Sequence, residues 1–137
     1  MILAQYYNFL RLGREGYTQV LDTMRTNARY SAKNLDALEK FNIINDATHT
    51  PCFCVSLKDE SRYNAADLAK VLSQEGWTIP AFSLPANAST TNTMRTNVKE
   101  TFALDMADIL AKDIKNALKK LDSIDSQPYQ AVGTNHN

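Results

Sequence analysis

Thr50-Pro51-Cys52-Phe53-Cys54-Val55-Ser56-Leu57 is the stretch on which the reading of this chain turns. Phe53, Val55 and Leu57 recur at every second position and Cys52, Cys54 and Ser56 fill the gaps, so an extended strand sends the two sets to opposite faces. Both sets are fairly apolar, which suits a central strand. Upstream, Phe41, Ile43 and Ile44 form a short β-prone run that ends at the turn signal Asn45-Asp46. Downstream, Lys58 to Arg62 is a charged loop. Asn64 then caps a helix through Glu75, with Ala65, Leu68, Ala69, Val71 and Leu72 turned inward and Gly76 ending it. Trp77 to Leu84 reads as the next strand, and Pro80 and Pro85, which cannot donate ladder hydrogen bonds, send it to an edge. After a small polar loop from Ala86 to Asn92, Thr93 to Lys99 alternates again. Met94, Thr96 and Val98 face one way, Arg95, Asn97 and Lys99 the other. Met106, Ala107, Leu110, Ile114, Ala117, Leu118 and Leu121 mark an amphipathic helix from Leu104 to Leu121.

The chain before Phe41 reads as helix in two parts. Ile2, Leu3, Tyr6, Tyr7, Phe9 and Leu10 leave little polar surface, as in a helix buried on more than one side. Gly13 and Gly16 bracket the place where it bends or breaks. Tyr17, Val20, Leu21, Met24, Ala28, Ala32, Leu35 and Leu38 then form one packed stripe, with Thr18, Arg25, Arg29, Lys33 and Asp36 on the solvated side. The order is helix, strand, strand, helix, strand, strand, helix. It predicts an α+β fold, an antiparallel or mixed sheet of three to four strands covered by helices on one face. Three segments follow: a helical strut over 1–40, a small α+β domain over 41–123, and a loose polar tail over 124–137 that contains Pro128 and Gly133.

Composition narrows the function. The 137 residues suit a single domain, and 15 Lys+Arg balanced by 15 Asp+Glu supply no field to hold a nucleic acid. No apolar run is long enough to span a membrane, and no basic-then-apolar opening marks a secretory signal. With only two cysteines there is no disulfide framework, which fits a reducing cytoplasm. Four glycines, none in a phosphate-cradling loop, and an apolar helix starting at the first residue lead us to expect a piece of a larger polypeptide.

Few residues stand out as chemistry. Cys52 and Cys54 read as small buried hydrophobes, because a zinc site needs four ligands and only His49 and His136 could join them. His49 reads as a loop histidine. Asp105, Asp108 and Asp113 follow the solvent side and N-terminal end of the last helix. No acid–base pair, catalytic residue or metal site is expected. Arg95 projects from the strand face opposite Met94 and Val98; there it is either a surface or salt-bridged arginine or a rigidly held grip for a carboxylate. His136 on its own is the next-to-last residue of a tail with no packing reason to be ordered.

Four runs carry a resemblance: Ala4-Gln5-Tyr6-Tyr7-Asn8-Phe9-Leu10-Arg11-Leu12-Gly13-Arg14-Glu15-Gly16-Tyr17, Glu75-Gly76-Trp77-Thr78-Ile79-Pro80-Ala81-Phe82-Ser83-Leu84-Pro85, Met94-Arg95, and Phe102 to Leu110. Together, and in order, they resemble the carboxy-terminal small domain of pyridoxal-phosphate-dependent glutamate decarboxylase, a fold-type I enzyme. The resemblance implies a carboxy-lyase that turns L-glutamate into 4-aminobutanoate and carbon dioxide. It implies that pyridoxal 5'-phosphate and its Schiff-base lysine belong mainly to a large domain missing here, to which the 1–40 strut joins, so that the fragment alone is inactive. The complete protein would be a cytoplasmic homo-oligomer, a dimer or a hexamer, whose partners are L-glutamate and its own large domain, with no nucleic acid and no membrane. Arg95 falls where the family holds the substrate α-carboxylate. His136 falls where bacterial members carry a histidine that blocks the active site as pH rises, which ties such enzymes to acid resistance. The chain lacks the basic, Trp-containing calmodulin-binding stretch of plant enzymes, which favours a bacterial type, and Thr96 and Asn97 depart from the family's usually apolar strand. Another pyridoxal-phosphate amino-acid decarboxylase, or a free-standing module that binds through its first helix, would share parts of this pattern.

Overall fold

The computed structural model describes residues 1–123. Seven elements follow one another: α1 (Ile2–Asp36), β1 (Phe41–Asp46), β2 (Cys52–Leu57), α2 (Ala65–Gln74), β3 (Ala81–Ser83), β4 (Asn92–Asn97) and α3 (Leu104–Ser123), with a 3-10 turn over Ala86–Ala88. The four strands form one antiparallel sheet in the order β1-β2-β4-β3. α1 lies over β1 and β2, α2 over β4 and β3, and α3 packs against both helices. The α+β class, with helices on one face of the sheet, is the one expected.

The alternation of β2 creates this arrangement. Phe53 and Val55 are sealed beneath the helices, and Val55 pairs with Met94 of β4, which is also buried. Phe41, Phe53, Leu68, Leu72, Met94, Leu110 and Ile114 are the largest side chains removed from water, each adding roughly 1.5–3 kcal/mol of transfer free energy. Asn64 accepts hydrogen bonds from the Ala66 and Asp67 amides while Asp67 accepts from the Asn64 amide, a reciprocal capping box that starts α2. Gly76, at φ +89°, ends the turn beyond it, in a conformation costly for any residue with a Cβ.

Several expectations change. The strand expected over Trp77 to Leu84 shrinks to Ala81–Ser83, because the residues before Pro80 pack under α2 and α3 instead of extending the ladder. It does lie at an edge. α1 breaks at Gly13 alone, where φ +56° and ψ −170° interrupt an otherwise continuous helix, while Gly16 stays helical. Beyond the break Ala28, Ala32 and Leu35 are buried as the stripe requires, but Leu21 is not. The larger correction concerns the first helical part. Ile2, Leu3, Tyr6, Tyr7, Phe9 and Leu10, expected to be buried on more than one side, are all more than half exposed, since this part of α1 projects past the sheet. Asp108 and Asp113 are not simply solvated. Asp108 accepts from Tyr30 and Asn34 of α1, and Asp113 accepts from the Trp77 indole at 2.8 Å, so both fasten α3 to its neighbours.

Candidate functional site

The face of the sheet away from the helices carries the polar half of each alternating strand. In β4 this face carries buried Thr93 and exposed Arg95 and Asn97; in β2 it carries Cys52 and Cys54, which pair with Asn97 and Arg95. β4 is an inner strand, hydrogen-bonded on both sides, and the Arg95 amide additionally donates to the Pro80 carbonyl at 3.1 Å. The arginine backbone is therefore fixed by the ladder, not by a loop.

Its side chain is exposed, and its Cζ stands 5.6 Å from the centroid of the Phe82 ring across the sheet. That cation–π contact orients the guanidinium without occupying its hydrogen-bond fork. Among the described residues no carboxylate pairs with Arg95, so the salt-bridged alternative does not hold. A fixed, unpaired fork on an open sheet face can grip one carboxylate with two parallel hydrogen bonds. The sequence had placed Arg95 on this face; Phe82, the residue that aims it, was missed. Its signal was available only once β3 and β4 were known to be neighbours, because Phe82 pairs with Thr93, two residues before Arg95 on the same face.

Cys52 and Cys54 are half-exposed on the same face, which corrects their reading as buried hydrophobes. Partial burial pushes the Cys54 thiol above its usual range, the neighbouring Cys52 adds to this, and Arg95 acts in the opposite direction. His49 is exposed in the turn between β1 and β2. His136 lies outside the described residues.

The helix ends and the lysines decide whether a phosphate-bearing cofactor fits. The N-terminus of α2 is closed by its own Asn64 and Asp67, and the first turn of α3 carries Asp105. Every lysine of the chain is exposed, whereas an imine-forming lysine needs a pocket that strips its charge of water. The residues present do not form a cradle for pyridoxal phosphate, and Arg95 is the group this surface can turn toward a substrate.

No protein-family model matches the chain. Individual proteins do. Over 133 residues, 97% of the chain, it is 35% identical to glutamate decarboxylase 3 of Arabidopsis thaliana, and it spans 27% of that protein's length. It is 40% identical over 119 residues, 80% of the chain, to the probable glutamate decarboxylase gamma of Listeria innocua, spanning 26% of it. The solved glutamate decarboxylase of Lactobacillus brevis superposes with a TM-score of 0.84 at 34% identity, covering 89% of this chain and 28% of that one. The chain thus spans about a quarter of the length of the relatives it matches. Over nearly its whole length the chain is thus similar to one part of the glutamate decarboxylases, and it shares the fold of the matching part of the Lactobacillus brevis enzyme.

Proposed function

We propose that this domain supplies the arginine that holds the substrate α-carboxylate in a glutamate decarboxylase, an enzyme converting L-glutamate to 4-aminobutanoate and carbon dioxide. The observation that supports this reading is Arg95 itself: a guanidinium fixed on an inner strand, aimed by Phe82, and unpaired on the sheet face the helices leave open. Two parallel hydrogen bonds to the carboxylate fix both its position and its plane. Such positioning is worth several kcal/mol when the bond to be broken must keep one orientation. Pyridoxal phosphate, bound mainly by a large domain outside this chain, would supply the electron sink; no residue here replaces it, so the domain alone is inactive. The open sheet face and the helical strut over 1–40 are where that domain docks, and the assembled protein is a cytoplasmic homo-oligomer, a dimer or a hexamer. His136, in the tail, is proposed as a gate. Its imidazole is neutral above about pH 6.5 and blocks the site there, leaving activity to acidic conditions.

A chimera that joins this chain to the complementary part of the Lactobacillus brevis enzyme tests both roles. Arg95→Ala should remove decarboxylation by several orders of magnitude while the cofactor absorbance is retained. Near-normal turnover would sink the assignment. Deleting the last few residues should raise activity above pH 6, and an unchanged pH profile would remove the gate.

A further inference from the structure

We propose that Cys52 and Cys54 together form a two-thiolate site for a soft monovalent cation, Cu(I), on the open face of the sheet. The site is independent of the role given to Arg95. The two cysteines occupy alternate positions of β2, so their side chains leave the same face side by side, opposite Asn97 and Arg95 of β4. Both are half-buried, so part of each thiol is reachable from solvent.

Geometry and softness select the ligand. Alternate positions of a strand are about 6.8 Å apart, at the upper limit for a disulfide, and their side chains leave the strand in parallel, so a direct sulfur–sulfur bond would require β2 to bend. A single ion between the sulfurs requires no such bend. Among the described residues no third His, Cys, Asp or Glu joins them in a group that could hold a metal, which argues against the four ligands of zinc. Thiolates select Cu(I), which accepts two-coordinate binding. On binding, each thiol releases its proton to water and each sulfur donates an electron pair to the ion, with no change of oxidation state. Two thiolates and one Cu(I) leave a net charge of minus one.

The test is a titration of the reduced 137-residue chain with Cu(I), without oxygen and against the chromophoric competitor bicinchoninate. One Cu(I) should be retained per chain. Cys52→Ser and Cys54→Ser should each weaken retention by roughly 100-fold or more, because one remaining soft ligand does not hold the ion alone. One equivalent of Cu(I) should also shield both thiols of the unaltered chain from alkylation at once, a readout that does not depend on either variant folding. The proposal is overturned if the unaltered chain yields Cu(I) as readily as the variants, if one ion is held per two chains, or if alkylation proceeds unhindered.

Discussion

On one side of Gly13, Tyr6, Tyr7, Phe9 and Leu10 stand more than half exposed; on the other, Ala28, Ala32 and Leu35 are sealed against the sheet and α3. Both stretches belong to α1, and the exposed one is the more apolar. Small residues dominate the buried stripe because the helix must approach the sheet closely, while the bare stripe carries large rings and leucine, the residues that fill space between separate bodies. Apolar density in a sequence therefore reports that a surface demands a cover. It does not report that the cover lies in the same chain.

Substitutions on the two sides should behave differently. Leu110→Ala, in the part of α3 that closes the core, should lower unfolding free energy by about 2–5 kcal/mol, read from the urea midpoint, because the site it vacates is fully enclosed. A loss under 1 kcal/mol would mean that the core is looser than its burial indicates. Asn64→Ala, which removes the capping box of α2, should cost about 1 kcal/mol, with Asn64→Asp largely restoring it. Leu10→Ser, on the bare side of Gly13, should move the midpoint of the isolated chain by less than about 0.5 kcal/mol. In the chimera with the Lactobacillus brevis enzyme, the same substitution should become clearly destabilising if the large domain covers this helix. If it stays neutral there as well, the strut is not where the two bodies meet.

Much of the fold could be read directly. The alternation around Phe53, the cap at Asn64, the stop at Gly76, the break at Gly13 and the face of Arg95 are all local, set by periods of two and 3.6 or by single-residue backbone preferences. What was not legible depends on neighbours distant in sequence. Phe82 meets Arg95 only because β3 and β4 pair, and Asp113 meets Trp77 only because α3 returns over α2. Cys52 and Cys54 looked buried because the alternation cannot say which sheet face the helices cover and which stays open. The exposure of the first helix was misjudged for the converse reason, since its own composition predicts burial. For the candidate site, the sheet face of Arg95 was legible in the sequence, and the Phe82 contact that aims it was not.

The sheet's two margins carry a consequence for the isolated chain in concentrated solution. β3 is three residues long and stands between Pro80 and Pro85, and β1 is interrupted by a bulge between Ile43 and Asn45, so neither outer edge offers a long flat template for another strand. Self-association through strand addition, the route to fibrils, is blunted at both ends. Among the described residues, the bare aromatic helix before Gly13 is the surface expected to drive clumping. Aggregates of this domain should accordingly keep their helical signal, dissolve in mild detergent and fail to bind fibril dyes.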